Sequence, residues 1–182
     1  MLKLRTSTIK KHLNNLTREE LEAEILNLAK KHPIIQEHYY SVLFPDQEEV
    51  LDKYKKIIEK EFGHHRGEIL RYPIMKQALK DFSNVSTNKE QIAELMIFTV
   101  ECGVDFTLSY GDIDDEKFYR TISSIYEQAL KYIVDNQLED KFVDLCSELT
   151  TSSQGIGWGF GDWMMELYSD YLGHMDEEEG LE

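Results

Sequence analysis

Apolar residues recur at helical spacing along almost the whole of this chain, and no stretch alternates apolar with polar residues as a half-buried strand does. Leu21, Ile25 and Leu28 form one stripe, and Ile35, Tyr39 and Val42 a second. Val50, Tyr54, Ile57 and Phe62 make a third, and Met75, Ala78, Leu79 and Phe82 a fourth. The cleanest is Phe118, Ile122, Ile125, Ala129 and Ile133, followed by Phe142, Leu145, Cys146 and Leu149. Start signals agree with the stripes. Thr17–Glu20, Asp46–Glu49 and Thr87–Glu90 each set a capping residue three positions before a Glu, a pairing that satisfies backbone N–H groups left open at a helix start. Pro33, Pro45, Gly63, Pro73, Gly111 and Asn136 fall between stripes as breaks. The expected fold is all-α, with about eight helices.

Residues 89–110 differ from the other segments. Ile92, Leu95, Met96, Ile97, Phe98, Val100, Val104, Phe106 and Leu108 occupy nearly every side of the helix they predict, and a helix apolar all round is buried. It is expected at the centre of a bundle or irregular stack of helical hairpins, since short connections make sequential helices antiparallel neighbours. Comparing the segments reveals no fixed repeat period. Residues 1–172 are read as a single helical domain with a soft internal boundary at the polar connector 83–88. Residues 173–182 are read as an acidic tail without helical period, whose last Leu-Glu pair resembles a cloning remnant.

A chain of 182 residues with 20 aromatics can bury roughly 70% of its extended surface in a real core. No apolar run approaches the ~18 residues of a membrane-spanning helix. The N-terminus lacks the apolar centre of a signal peptide, and Cys102 and Cys146 have no metal or redox spacing. A cytoplasmic protein with reduced core thiols is the expectation. The net charge of −15 is lopsided: residues 1–100 hold 16 Lys and Arg against 15 Asp and Glu, and residues 101–182 hold 4 against 20. Such a surface repels nucleic-acid phosphate and anionic lipid. A membrane partner is therefore not expected, and a nucleic-acid partner is disfavoured.

The segment "GIGWGF" (155–160) raises the question of a phosphate cradle. Its glycines alternate and never give the G-x-G-x-x-G spacing, no Lys or Arg follows Lys141, and Asp162 puts a carboxylate where phosphate would sit. The apolar positions Ile156, Phe160, Trp163, Leu167 and Tyr171 instead step as one helical stripe. Each glycine inside a helix costs about 0.8–1.0 kcal/mol relative to Ala, so four of them call for a packing or recognition role. Aromatic residues beside small ones make good recognition surfaces. Trp158, Phe160, Trp163, Tyr168 and Tyr171 are accordingly the candidate binding residues.

"YKKIIEKEF" (54–62), "YEQALKYI" (126–133) and "GIGWGF" (155–160) together resemble a family of short bacterial proteins known only as a domain of unknown function. The resemblance covers roughly residues 7–172 and rests mainly on the glycine-tryptophan segment. It implies a helical, cytosolic protein and carries no activity or site residues to transfer.

Candidate chemistry is sparse. Glu101 and Asp105 sit one turn apart and, as like charges, want solvent, a basic partner or a cation. Glu61 and His64 form the chain's only Glu-x-x-His spacing, interrupted by Gly63, whereas a two-metal helical bundle site needs a second. Glu61, His64, Glu101 and Asp105 are the alternative metal set, and no cofactor is expected. "YGDIDDEKF" (110–118) is as acidic as a calcium loop, but the sixth and twelfth positions counted from Asp112 are Lys117 and Ser123. Asp112 or Asp114 is expected to cap the next helix instead. His64, His65 and Arg66 make a loop with titratable groups near neutrality. No nucleophile–base or metalloprotease signature is present. The leading reading is a non-enzymatic interaction or scaffold protein whose C-terminal aromatic helix binds a protein partner or a second copy of itself. A metal-dependent or small-molecule enzyme is the alternative. A nucleic-acid regulator acting through the N-terminal helices, with Lys3, Arg5, Lys10, Lys11, Lys30 and Lys31, comes third.

Overall fold

A computed structural model describes residues 4–46, 48–62 and 71–179, with side chains as far as Gly173. Among the described residues the chain forms nine helices and no strand. They are α1 (Thr6–Leu13), α2 (Arg18–Lys31), α3 (Pro33–Leu43), α4 (Glu49–Phe62), α5 (Tyr72–Val85), α6 (Lys89–Tyr110), α7 (Glu116–Asp135), α8 (Glu139–Ser152) and α9 (Phe160–Glu179). The all-α expectation holds.

Capping explains most of the boundaries. Thr17 and Glu20 form a complete capping box at α2, each side chain taking the other residue's backbone N–H. At α6 the cap is Asn88, one residue beyond the expected Thr87: its side-chain Oδ1 takes the Glu90 and Gln91 N–H groups, while the Thr87 N–H donates to Ser41 Oγ. α4 starts at Glu49 itself, so Asp46 stands too far upstream to cap it. Pro33 and Pro73 open helices, where a missing N–H is no loss. Gly111 closes α6 at a φ of +81°, and Asn136 closes α7. Gly63 lies outside the described residues.

α6 sits at the centre, packed against α4, α5, α7 and α8. Ile92, Leu95, Ile97, Val100 and Val104 are buried over one broad side, with Met96, Phe98 and Phe106 partly buried beside them, but Leu108, expected inside, is 57% exposed on the face that carries Glu101 and Asp105. Its closest neighbour is α7, all five of whose stripe residues are buried. The approach is tight at Gly103, where a Cβ would lie 2.8 Å from Ile122 Cδ1. α9 then covers α7 and α8.

The residues 155–159, which the sequence leaves open between helix and loop, are a turn with positive φ at Gly155, Trp158 and Gly159, and α9 begins at Phe160. Two expectations about the last helix need correction. The buried stripe of α9 is Phe160, Met164, Tyr168 and Leu172, not the expected Trp163, Leu167 and Tyr171. Both series step by four residues on adjacent faces, and only one can face the core. α9 also runs on to Glu179, seven residues past the expected end at 172.

Candidate interaction surfaces

The five aromatic candidates separate in the structure. Phe160 and Tyr168 belong to the core, Tyr171 is partly buried against it, and Trp158 and Trp163 are 53% and 39% exposed. The two tryptophans do not meet. Trp158 stacks on buried Tyr119, with ring centroids 6.4 Å apart and planes 25° from parallel. Trp163 instead lines a shallow hollow of about 330 Å3 with Arg120, Ser123, Glu127 and Glu166. Trp158 holds a left-handed φ of +62°, a costly conformation for a bulky residue that surrounding contacts must enforce. The turn does present a backbone amide to an anion, and that anion is the chain's own: the Gly157 N–H donates to Asp112 Oδ1 at 2.9 Å. Asp112 is thereby committed to the turn, and Asp115 caps α7 in place of the expected Asp112 or Asp114. The Tyr72 hydroxyl also donates to Asp115.

The alternative metal residues are dispersed among other partners. Glu61, only 2% exposed, takes a two-pronged pair of hydrogen bonds from Arg71, both at 2.8 Å. That pair joins the end of α4 to the start of α5. His64, with His65 and Arg66, lies outside the described residues. Glu101 and Asp105 lie on α6, where partial burial and then Asp105 raise the Glu101 carboxyl pKa while Lys55 opposes the rise. Nearby Glu94 is held by Lys55. Burial, reinforced by Glu101, Glu59 and Asp105, pushes the Cys102 thiol up to about 12, and burial does the same for Cys146. Neither cysteine has thiolate character near neutrality. Among the described residues, no group of three or more His, Cys, Asp or Glu is arranged to hold a metal ion.

The surface that sequence reasoning missed is at the other end of the chain. α1 and α2 bury no residue, and α3 buries only Ser41. Yet residues 4–44 carry Leu4, Ile9, Ile25, Leu26, Leu28, Ile34, Tyr39, Val42, Leu43 and Phe44 at 39% exposure or more. α3 docks on the body through polar groups. Glu37 accepts from the Tyr54 hydroxyl and pairs with Lys53, the His38 Nδ1–H donates to the Val85 carbonyl, and Ser41 Oγ accepts from the Thr87 N–H. With its polar face turned inward, α3 leaves Tyr39, Leu43 and Phe44 facing away from the core. Opposite them stand Ile25, Leu26 and Ala29 of α2, and the two rows wall a groove of about 690 Å3 with Glu22 and Gln36 as its polar side chains besides the tyrosine hydroxyls. Gln36 braces the joint by donating to the Ala29 carbonyl at 2.8 Å. The signal available in sequence was the inverted character of α3: Glu37, His38 and Ser41 occupy consecutive turns of one face beside the apolar row.

An all-helical protein with a central helix α6 and an apolar groove on its N-terminal helices is thus defined by fold and surface. Residues 4–160 match a family of unknown function (DUF6155), and the chain belongs to that family. The matched span takes in α1 to α8 whole, with both walls of the groove, and stops at the first residue of α9. No curated protein and no solved structure matches the chain.

Proposed function

We propose that this protein is a protein-interaction module and that the α2–α3 groove is its docking site, receiving an amphipathic helix of a partner chain. One observation carries the reading: α3 spends its polar face on the body and turns its apolar face outward. Burying Leu26 or Leu43 against a partner is favourable by about 25 cal/mol per Å2 of apolar surface. A groove two helical turns long, with apolar rows on both walls, suits the i, i+3, i+4 and i+7 anchors of a helix. The family match supports the groove over the α9 face, since it contains all of the former and almost none of the latter.

The test is selection of helical peptides on the full chain, with counter-selection against the double variant Leu26→Glu/Leu43→Glu. Both residues are more than 60% exposed, so the variant keeps its fold. The reading expects enriched peptides with apolar residues at helical spacing that lose binding to the variant at least tenfold. Peptides that bind both proteins equally, or no enrichment at all, contradict it.

A further inference from the structure

Resting on that reading of the groove, we infer that the helix it receives is α1 of a second copy of this chain, exchanged reciprocally between two protomers. α1 is only lightly attached in its own chain. It buries no residue, it does not line the groove, and it meets α2 on a different face, where His12 lies 3.5 Å from Glu24. Its exposed Ile9 and half-buried Leu13 step by four, a spacing a groove accepts, and Leu16 follows in the turn after the helix.

Charge favours the same occupant. From Arg5 to Leu13 the segment carries Arg5, Lys10 and Lys11 and no acid, whereas α2 brings Glu22 into the groove lining and Glu19 one turn before it on the same side. The pair Glu22 makes within the chain, with Arg18 at 3.0 Å, is exposed and weak. The strongly acidic C-terminal half is a poor occupant for that rim, and like-charge contact would count against it.

Area favours exchange over simple groove-on-groove packing. At about 200 Å2 for a fully exposed large side chain, the exposures of Ile25, Leu26, Tyr39, Leu43 and Phe44 amount to on the order of 500 Å2 of apolar surface. That is short of the ~800 Å2 per partner of a standard interface. Ile9 of α1 and Leu4 just before it, 42% and 67% exposed, raise the sum to about 700 Å2, nearer that size. A two-fold exchange buries groove and α1 of both copies, and it is closed, so association stops at the dimer.

Sedimentation velocity of the full chain, from low micromolar to several hundred micromolar, tests the inference with Ile9→Glu, Leu26→Glu and the control Leu108→Glu, which alters an exposed residue of α6. Wild type and control should form a dimer. Each of the other two variants alone should weaken association at least tenfold. Their equimolar mixture should associate more tightly than either variant alone, because one of the two α1–groove contacts is then wholly intact. A monomeric wild type, variants that dimerise like wild type, or a mixture no tighter than either variant overturns the exchange. Circular dichroism confirms folding of each variant, and Ile9→Ser with Leu26→Ser replaces any that unfolds. A monomeric wild type that still selects groove-dependent peptides sinks the exchange alone; failure of both experiments sinks the groove reading too.

Discussion

Gly161→Ala and Gly173→Ala make the same chemical change in the same helix, and the packing around α9 predicts opposite signs. In an open helical position the change stabilises by up to about 1 kcal/mol, because alanine loses less backbone entropy on folding. Gly173 meets that condition: an added Cβ would lie 3.3 Å from Ser169 Oγ and 3.7 Å from its Cβ, a contact a small rotation relieves. Gly161 does not. There the Cβ would fall 2.7 Å from the Ser153 carbonyl oxygen and 3.2 Å from Gln154 Cα. Both are backbone atoms at the end of α8, and Gln154 is tied to the joint through a hydrogen bond from Nε2 to the Gly161 carbonyl. Relief requires α9 to shift from α8, an overpacking penalty of about 1–3 kcal/mol against a propensity gain of at most ~1. Urea unfolding with a shared m-value should show Gly161→Ala destabilised by about 1–2 kcal/mol and Gly173→Ala unchanged or stabilised. In thermal melts each kcal/mol is worth roughly 2–4 °C for a chain of this length. Equal stabilisation by both substitutions would refute the reasoning, since helix propensity alone would then govern the α8–α9 joint.

Three further outcomes follow from the core. Gly103→Ala forces Ile122 to move and should cost about 1–3 kcal/mol; combined with Ile122→Val it should cost less than the sum of the single changes in a double-mutant cycle. Arg71→Ala strands the buried Glu61 carboxylate, with a loss near or below the low end of the ~3–5 kcal/mol typical of broken buried pairs because Arg71 is itself half exposed. Glu61→Leu in the same chain should recover part of it, by urea unfolding. Glu101→Gln should stabilise the protein at neutral pH by a few tenths of a kcal/mol, the ~0.2–0.5 of a like-charge i, i+4 pair. Since the folded-state carboxyl is raised, Glu101 ionisation costs stability as pH rises through the ordinary carboxyl range. The variant's advantage should therefore fade as pH falls below that range, which melts across pH will show.

Much of the fold was legible because stripes and caps are local. The α7 stripe, the central place of α6 and the Thr17 box each follow from residues within a few turns of one another, although Leu108 of α6 stays exposed. What escaped were choices settled by distant partners. The Thr87 N–H, which Glu90 would take in a capping box, goes instead to Ser41, more than forty positions upstream in sequence, and Asn88 is the cap. α9 buries the Phe160 row and exposes Trp163 because of how α7 and α8 present themselves, and no period distinguishes two rows of equal spacing. The 155–159 turn is held by Asp112, so its glycines serve a turn and a close approach, a choice that helical spacing alone left open. The groove was hidden for a related reason. Ile25, Leu28 and Tyr39 read as core stripes, and only the polar anchors Glu37, His38 and Ser41, bound to α4, α5 and the α5–α6 connector, show that α3 faces outward.

Hydrogen exchange at dilute and concentrated protein tests most directly whether α1 and α2 are an interaction element. Helices that bury nothing of their own have little local stability, so their amides should exchange within a small fraction of the time needed for α6 and α7 in dilute solution. They should slow markedly when the protein is concentrated, while α6 and α7 stay unchanged. Strong protection of α1 and α2 at both concentrations would contradict the account, and so would fast exchange that concentration leaves untouched.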